Sequence, residues 1–204
     1  MTEKELLKET TEYTGVHPQK FALWVAMASM TMFFAALTSA LLVKKGDYQE
    51  WENFKLPDIF TYSTVVIVAL SVVIQLALVS YRKAKFFLFR SLLFFSLLLG
   101  LLFLYLQVTG WGILTAMGKP LTGNLSGSFI YLITSMHGLH LVVGLLVTLI
   151  FLVMAIRSRK DPIYELRNII NPKRQLNLEL LVGFWHYIDA VWIYLYVFFY
   201  INYQ

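Results

Sequence analysis

The 204-residue sequence contains no cysteine and little charge. Without cysteine, disulfide bonds, thiolate zinc sites, iron–sulfur clusters and cysteine nucleophiles are all excluded. Charged residues make up 14% of the chain, against about 25% in typical soluble proteins. Apolar residues make up 58%, whereas disorder requires low hydrophobicity. Because so few charges could not cover the surface of a soluble domain, the composition indicates an integral membrane protein.

Five apolar runs are long enough to span a membrane as helices, which takes about 20 mostly apolar residues each. Their predicted bounds are 21–43, 59–81, 86–108, 129–156 and 178–200. The stretch from Gly110 to Gly127 has the composition of a turn-rich loop. We therefore predict an all-α bundle of five transmembrane helices over residues 20–204. A charged cytoplasmic arm at 1–19, which lacks the apolar core of a signal peptide, precedes it.

Lysine and arginine are distributed unevenly between the two sides that five spans define. Of the 17 basic residues, only Lys44, Lys45, Lys55 and Lys119 fall on one side, and the other 13 fall on the side of the N-terminus. Since basic residues are enriched in cytoplasmic loops, the N-terminus is predicted inside and the C-terminus outside. Because these residues lie between apolar segments, the net charge of +5 indicates topology and not a nucleic-acid-binding surface.

Ionisable side chains inside the spans each need a reason, because a charge at the bilayer centre costs at least about 2.5–3.5 kcal/mol on insertion scales. Here they lie on the last two spans, where helical spacing places several on one face. Gly138 and Gly144 allow a neighbouring helix to approach closely. We therefore predict an intramembrane polar cluster between helices four and five, made of His137, His140, Glu179, His186, Asp189 and Trp192.

Three interpretations of this predicted cluster remain open from the residues alone. The side chains can satisfy one another and fix helix order, which is a structural role. A histidine on each of two helices is also how a membrane haem is held, and intramembrane acids and histidines often mark a proton relay or ion path. A di-iron site is disfavoured because neither Glu179 nor Asp189 lies three residues before a histidine.

The last two spans resemble the corresponding helices of haem–copper oxidase subunit III. The resemblance lies in His137-Gly138-Leu139-His140 with Gly144, and in Glu179 followed by Trp185-His186, Asp189 and Val191-Trp192. Earlier stretches, Ser29 to Phe34 and Leu106-Gln107 with Trp111, are similar more loosely. They depart from the family where it usually carries carboxylates, since Met30 and Gly110 stand at those positions.

The resemblance, which covers about residues 20–204, implies the short five-helix form of this subunit. It implies a non-catalytic accessory subunit that packs directly on subunit I, with subunit II and other subunits in the same complex, in a proton-pumping oxidase of aerobic respiration. Proton uptake, oxygen access and stability of the complex are its implied roles, and a bacterial inner membrane is its implied location. Haems and copper would lie in the partner subunits, and bound phospholipid is compatible with this chain.

The resemblance therefore makes the structural interpretation of the six residues the favoured one. No catalytic, cofactor-binding or metal-binding residue is expected in this chain. The alternative is a haem-bearing membrane electron carrier that uses His140 and His186. A small-solute transporter is a second alternative, but neither an inverted repeat nor a helix broken by glycine and proline supports it.

Overall fold

The structure, a computed structural model, describes residues 17–47, 54–122, 125–158 and 172–203. These residues form five long helices and contain no strand. The helices are α1 (Pro18–Asp47), α2 (Ile59–Arg82), α3 (Phe86–Ala116), α4 (Leu125–Arg157) and α5 (Pro172–Tyr203). All five are long and apolar enough to cross a membrane, which confirms the predicted all-α bundle. Most of the predicted arm, residues 1–16, lies outside the described residues.

Helix α5 is the centre of the arrangement. It packs against α1, α2 and α4, while α3 packs against α2 and α4. Trp185 and Trp192 of α5 are fully buried. A Cβ atom at Gly144 of α4 would lie 3.1–3.3 Å from the rings of Phe184 and Trp185, so the expected close approach at Gly144 is confirmed. At Gly138 a Cβ would meet only Leu104, at an ordinary 3.6 Å.

Helices α2 and α3 form an antiparallel hairpin through a very short turn. Ala84 has a φ of 57°, in the left-handed region that glycine usually occupies at helix ends. The N–H of Lys85 donates to the carbonyl of Ser80 at 3.0 Å, which completes the turn. The resulting proximity of the two helices places Arg82, Lys83, Lys85 and Arg90 at one end of the bundle, which we call the basic end.

Helix α1 runs parallel to α5 and is held by a row of polar contacts, the α1–α5 ladder. Lys20 lies 4.0 Å from Glu179 at the basic end. The Tyr187 hydroxyl donates to the Met27 carbonyl at 2.8 Å and lies 2.9 Å from the Thr31 hydroxyl. Further along, the hydroxyls of Thr38 and Tyr194 lie 2.9 Å apart, and Lys45 donates to the Asn202 carbonyl. The ladder therefore extends along almost the full length of both helices.

The prediction of a turn-rich loop at 110–127 is wrong for much of that stretch. Helix α3 continues through Gly110 to Ala116, and α4 already begins at Leu125. Gly110 is a packing position, since a Cβ there would lie 3.0 Å from the ring of Phe60. The neighbouring Trp111 donates its indole N–H to Thr134 of α4 at 2.9 Å. Tertiary packing thus extends the helix through glycines that, judged from the composition of this stretch, favour a loop.

Candidate functional site

The polar side chains of the spans are built into the bundle at several separate places. His186 of α5 contacts α2, which the sequence analysis did not foresee. The Ser71 hydroxyl lies 2.7 Å from His186 Nδ1, and His186 Nε2–H donates to Gln75 Oε1 at 3.0 Å. Since the amide oxygen only accepts, His186 carries a hydrogen on Nε2, and the direction of its bond to Ser71 depends on whether Nδ1 also carries one. Both ring nitrogens are therefore engaged by protein side chains.

Asp189 lies one turn further along α5 and is buried, with 3% exposure. It faces the same neighbour as His186, because the Ser71 hydroxyl is close enough to its carboxyl group to interact. Neither carboxyl oxygen accepts a well-aligned hydrogen bond from the described residues. Ser71 thus stands between His186 and Asp189, and its single proton cannot be donated to both at once.

His137 of α4 is fully buried in an aromatic environment. Its ring centroid lies 5.1 Å from that of Trp192, 5.7 Å from that of Phe103 and 6.3 Å from that of Phe34. Neither ring nitrogen has a hydrogen-bond partner among the described residues. His137 therefore fills space where α1, α3, α4 and α5 meet, as an aromatic side chain would.

His140 and Glu179 lie apart from the other members of the predicted cluster. His140 donates from Nδ1 to the carbonyl of Met136 in its own helix at 2.7 Å, and its ring packs 5.8 Å from Phe34 of α1. Glu179 is at the basic end, where it accepts from Arg82 Nη2 at 2.8 Å and from Gln175 Nε2 at 3.0 Å. Its ion pair with Arg82 joins α5 to α2 near the membrane surface.

The structure therefore does not gather the six predicted residues into one hydrogen-bonded cluster between α4 and α5. The helical spacing identified the correct faces of α5 but not the neighbour that each face contacts. His186 and Asp189 face α2, Glu179 bonds to α2 at the basic end, and His140 faces α1. Only His137 and Trp192 join α4 to α5 directly, through their rings.

Three tryptophans, of which Trp185 and Trp192 are buried and Trp111 is partly buried, donate to threonine hydroxyls and were not recognised as a set from the sequence. The indole of Trp185 donates to Thr148, that of Trp192 to Thr64 and that of Trp111 to Thr134, at 2.9, 3.0 and 2.9 Å. They join α5 to α4, α5 to α2, and α3 to α4. Each pair satisfies an indole N–H that would otherwise be unpaired in an apolar interior.

Ser71 and Gln75 are further polar residues that the sequence did not lead us to single out, and Gln107 was noted only within the looser family resemblance. Gln107 of α3 is 2% exposed, and its amide has no hydrogen-bond partner among the described residues. The available signal was an amide inside an apolar run, together with the four-residue spacing of Ser71 and Gln75 on one helix face. A search limited to ionisable side chains misses this signal, because amides and hydroxyls do not ionise.

The arrangement of these polar groups is suited to stabilising contacts between helices. Among the described residues, no group of three or more His, Cys, Asp or Glu side chains is placed to hold a metal ion. His140 and His186 face different neighbours, α1 and α2 respectively. Hydrogen-bonded polar groups join helices at the levels of Glu179, His186 and Trp192. At the other end of α5, the Tyr203 hydroxyl donates to the carbonyl of Ser126 in α4 at 2.6 Å.

Comparison with known proteins agrees with this architecture of a multi-pass helical membrane protein. The sequence model of the family "Cytochrome c oxidase subunit III" matches residues 19–203. The chain is 28% identical over 196 residues to cytochrome c oxidase subunit 3 of Thermostichus vulcanus, which covers 93% of this chain and 91% of that one. It is 28% identical over 174 residues to the probable subunit 3 of Nocardia farcinica, covering 82% and 79%.

The fold thus defines a membrane-spanning helical subunit. The chain belongs to the cytochrome c oxidase subunit III family, since the family match extends over nearly all of it. This confirms the resemblance that rested on the last two helices. A subunit of this family functions in a complex with other oxidase subunits, in the respiratory chain.

Proposed function

We propose that the chain is the non-catalytic accessory subunit III of a haem–copper terminal oxidase, packed directly on subunit I with subunit II in the same complex. The complex reduces oxygen to water and pumps protons in aerobic respiration. The observation that carries the proposal is the family match over residues 19–203. The engagement of both His186 nitrogens by Ser71 and Gln75 supports it, because these contacts use the imidazole to join helices.

In this proposal the six residues singled out from the sequence have structural roles. His186 and Asp189 position α5 against α2, and Glu179 holds the basic end together through Arg82. His137 and Trp192 fill the junction of four helices, and His140 packs on α1. The chain holds no haem or copper of its own, and these groups belong to the partner subunits.

The proposed supporting roles are proton uptake, oxygen access and stability of the complex. Two apolar grooves support the second role, since molecular oxygen is apolar and partitions into acyl chains. One groove, of about 420 Å³, lies between α1 and α5 and is lined by Phe34, Ala35 and Val191 among others. The other, of about 380 Å³, lies between α1, α4 and α5 and includes Leu23, Val147 and Phe151. Phospholipid acyl chains fit both.

The proposed location is a bacterial inner membrane, with the N-terminus inside and the C-terminus outside. The basic end supports this orientation, because Arg82, Lys83, Lys85, Arg157 and Lys173 all lie at helix ends on that side. The similarity to subunits from bacteria such as Thermostichus vulcanus and Nocardia farcinica supports the choice of membrane.

Affinity purification of the tagged chain in a mild detergent tests the proposal. Mass spectrometry should find subunits I and II in the same particle, and the particle should consume oxygen. The isolated chain should have no haem Soret band. A stoichiometric Soret band in the isolated chain would instead support the electron carrier that uses His140 and His186. Purification without any oxidase subunit would overturn the proposed function.

A further inference from the structure

The geometry points to the seam between α2 and α5 as the surface on which a transmembrane helix of the catalytic subunit docks. We call this the Gln75 face and define it by Val68, Val72 and Gln75 of α2 with Gly183 and Ala190 of α5. The inference rests on the proposed function and adds to it the side of the bundle that meets the partner. It also specifies that the partner helix carries a hydrogen-bond acceptor at the depth of Gln75.

Gln75 is an exposed amide within the hydrocarbon layer. It is on α2 about 10 Å along the helix axis from Arg82, at 1.5 Å per residue, and the hydrocarbon core is about 30 Å thick. Its oxygen accepts from His186, while its NH₂ group donates to no described residue. Acyl chains offer no acceptor, so lipid at this position would leave two N–H donors unsatisfied.

Other exposed polar side chains at similar depths do not have this property. Their hydroxyl groups donate to carbonyls of their own helix, as Ser29 does to Val25 at 3.0 Å and Thr31 to Met27 at 2.9 Å. These residues can therefore face lipid without an unpaired donor. Gln75 differs because its amide oxygen accepts from His186, whereas its NH₂ group donates to none of the described residues.

The shape of the surface around Gln75 is suited to close approach of another helix. Gly183 and Ala190 lie three residues before and four residues after His186, on the same side of α5. A Cβ at Gly183 would meet nothing within 4 Å, and Ala190 is exposed where this face borders the α1–α5 groove. Val68 and Val72 are also exposed, at 45% and 56%. Small residues beside a polar group are typical of helix–helix interfaces in membranes.

These observations favour a protein helix over a lipid as the occupant. A protein helix can supply an acceptor at this depth through a polar side chain such as serine, threonine, asparagine, glutamine or histidine, or through a backbone carbonyl beside a kink. Because the family functions in a multisubunit membrane complex, the occupant to which we commit is a helix of the catalytic subunit. A second copy of this chain or a lipid are the competing occupants that an experiment must separate.

Site-specific photo-crosslinking in the assembled oxidase tests the assignment. A benzophenone amino acid is placed at Val72 on the Gln75 face or, as the control, at Leu101 of α3, which is equally exposed at 56%. The expected result is an adduct with the catalytic subunit from position 72 and none from position 101. An adduct from position 101 only, an adduct between two copies of this chain, or lipid adducts alone at position 72 would each overturn the assignment.

A matched pair of glycine substitutions provides a second measurement. Gly183→Leu and Gly112→Leu both add a side chain where nothing lies within 4 Å, so neither should unfold the chain. Gly183→Leu should lower retention of the subunit in the purified oxidase about ten-fold or more, since it forces a side chain into a packed contact. Gly112→Leu should leave retention unchanged. Equal retention of both variants would contradict the inference.

Replacement of Gln75 tests its polar part. Gln75→Leu should weaken retention about three-fold, the typical effect of one interhelical hydrogen bond in a membrane. Unchanged retention would show that no acceptor meets the amide. The proposed function is tested by a separate result. It is wrong if the unsubstituted chain does not purify with the catalytic subunit. A retained wild-type subunit with no effect at positions 72, 75 and 183 would reject only the Gln75 face.

Discussion

Helices α1 and α5 are parallel and similar in length, yet they are held in the bundle by different means. Helix α5 has packed neighbours on three sides, and its Trp185, Ile188 and Trp192 are fully buried. Helix α1 has only three buried residues, Phe34, Thr38 and Leu41. Besides the contact of Phe34 with His140 of α4, α1 is held by the α1–α5 ladder, in which polar contacts recur about every two turns.

The difference shows two ways of joining helices where lipid is as apolar as the side chains. Burial of large rings against glycine and threonine gives α5 many dispersion contacts. Spaced polar contacts give α1 a defined register with little buried area. Loss of one ring should therefore affect α5 strongly, whereas α1 should respond only when several contacts are removed together.

The largest expected effect tests the packing of α5. Trp185→Ala should lower the free energy of unfolding by about 3–5 kcal/mol, since it leaves a cavity against Gly144 and removes the bond to Thr148. Denaturation in mixed micelles, followed by circular dichroism, measures this. The control is Trp24→Ala on α1, whose side chain is 56% exposed and whose loss should have little effect. Equal losses would show that burial does not separate the two helices.

The second prediction contrasts His186 of α5, whose ring nitrogens both have partners, with the buried His137 of α4, whose nitrogens have none among the described residues. His186→Leu should cost about 1–3 kcal/mol, because Ser71 and Gln75 both lose their partner. His137→Leu should leave stability unchanged or raise it, because neither nitrogen of His137 bonds to a described residue. The same unfolding measurement applies to both. A larger loss at His137 would mean that its ring contacts outweigh the missing hydrogen bonds.

The third prediction concerns the α1–α5 ladder. Tyr187→Phe and Tyr194→Phe together should weaken α1 docking by about 1–1.5 kcal/mol, from roughly 0.6 kcal/mol for each interhelical hydrogen bond. Spin labels on cysteines introduced into α1 and α5 should report a broader distance distribution, and the native chain has no cysteine to interfere. Tyr105→Phe is the control, since Tyr105 is 67% exposed. An unchanged distribution would mean that packing alone fixes α1.

The smallest expected effect lies at the turn between α2 and α3, outside both helices compared. Ala84→Gly should stabilise the chain by up to about 1 kcal/mol, because glycine adopts the left-handed conformation without strain. The same substitution inside α2, Ala69→Gly, should cost about 1 kcal/mol. Opposite signs in the unfolding measurement are the expected outcome, and destabilisation by both would argue against strain at Ala84.

The sequence predicted the five spans well because hydropathy follows directly from the bilayer. Their ends were predicted less well, since Gly110 and Gly112 in α3 look like loop residues until Phe60 is known to pack on the first of them. Helix α5 begins at Pro172, six residues before the predicted start. Polar residues can extend a helix beyond the apolar run, and hydropathy alone does not register this.

The candidate site was harder to predict because a helix face does not name its neighbour. The spacing of His186 and Asp189 correctly placed both on one side of α5. Whether that side meets α2 or α4 depends on the packing of all five helices, which the periodicity of one helix does not contain. The polar residues of α2 offered the missing signal, since Ser71 and Gln75 provide a hydroxyl and an amide at helical spacing in an otherwise apolar run.

The α1–α5 ladder also sets an order of assembly. The hydroxyls of Thr31 and Tyr187 are separated by 156 positions in the chain, so α1 is synthesised long before its partner exists. At about 5–20 residues per second, that interval is roughly 8–30 s. During that time the α2–α3 hairpin and α4 can already associate, while α1 can meet only α4, where Phe34 packs on His140. Docking of α1 is therefore the step that must wait for the last helix to enter the membrane.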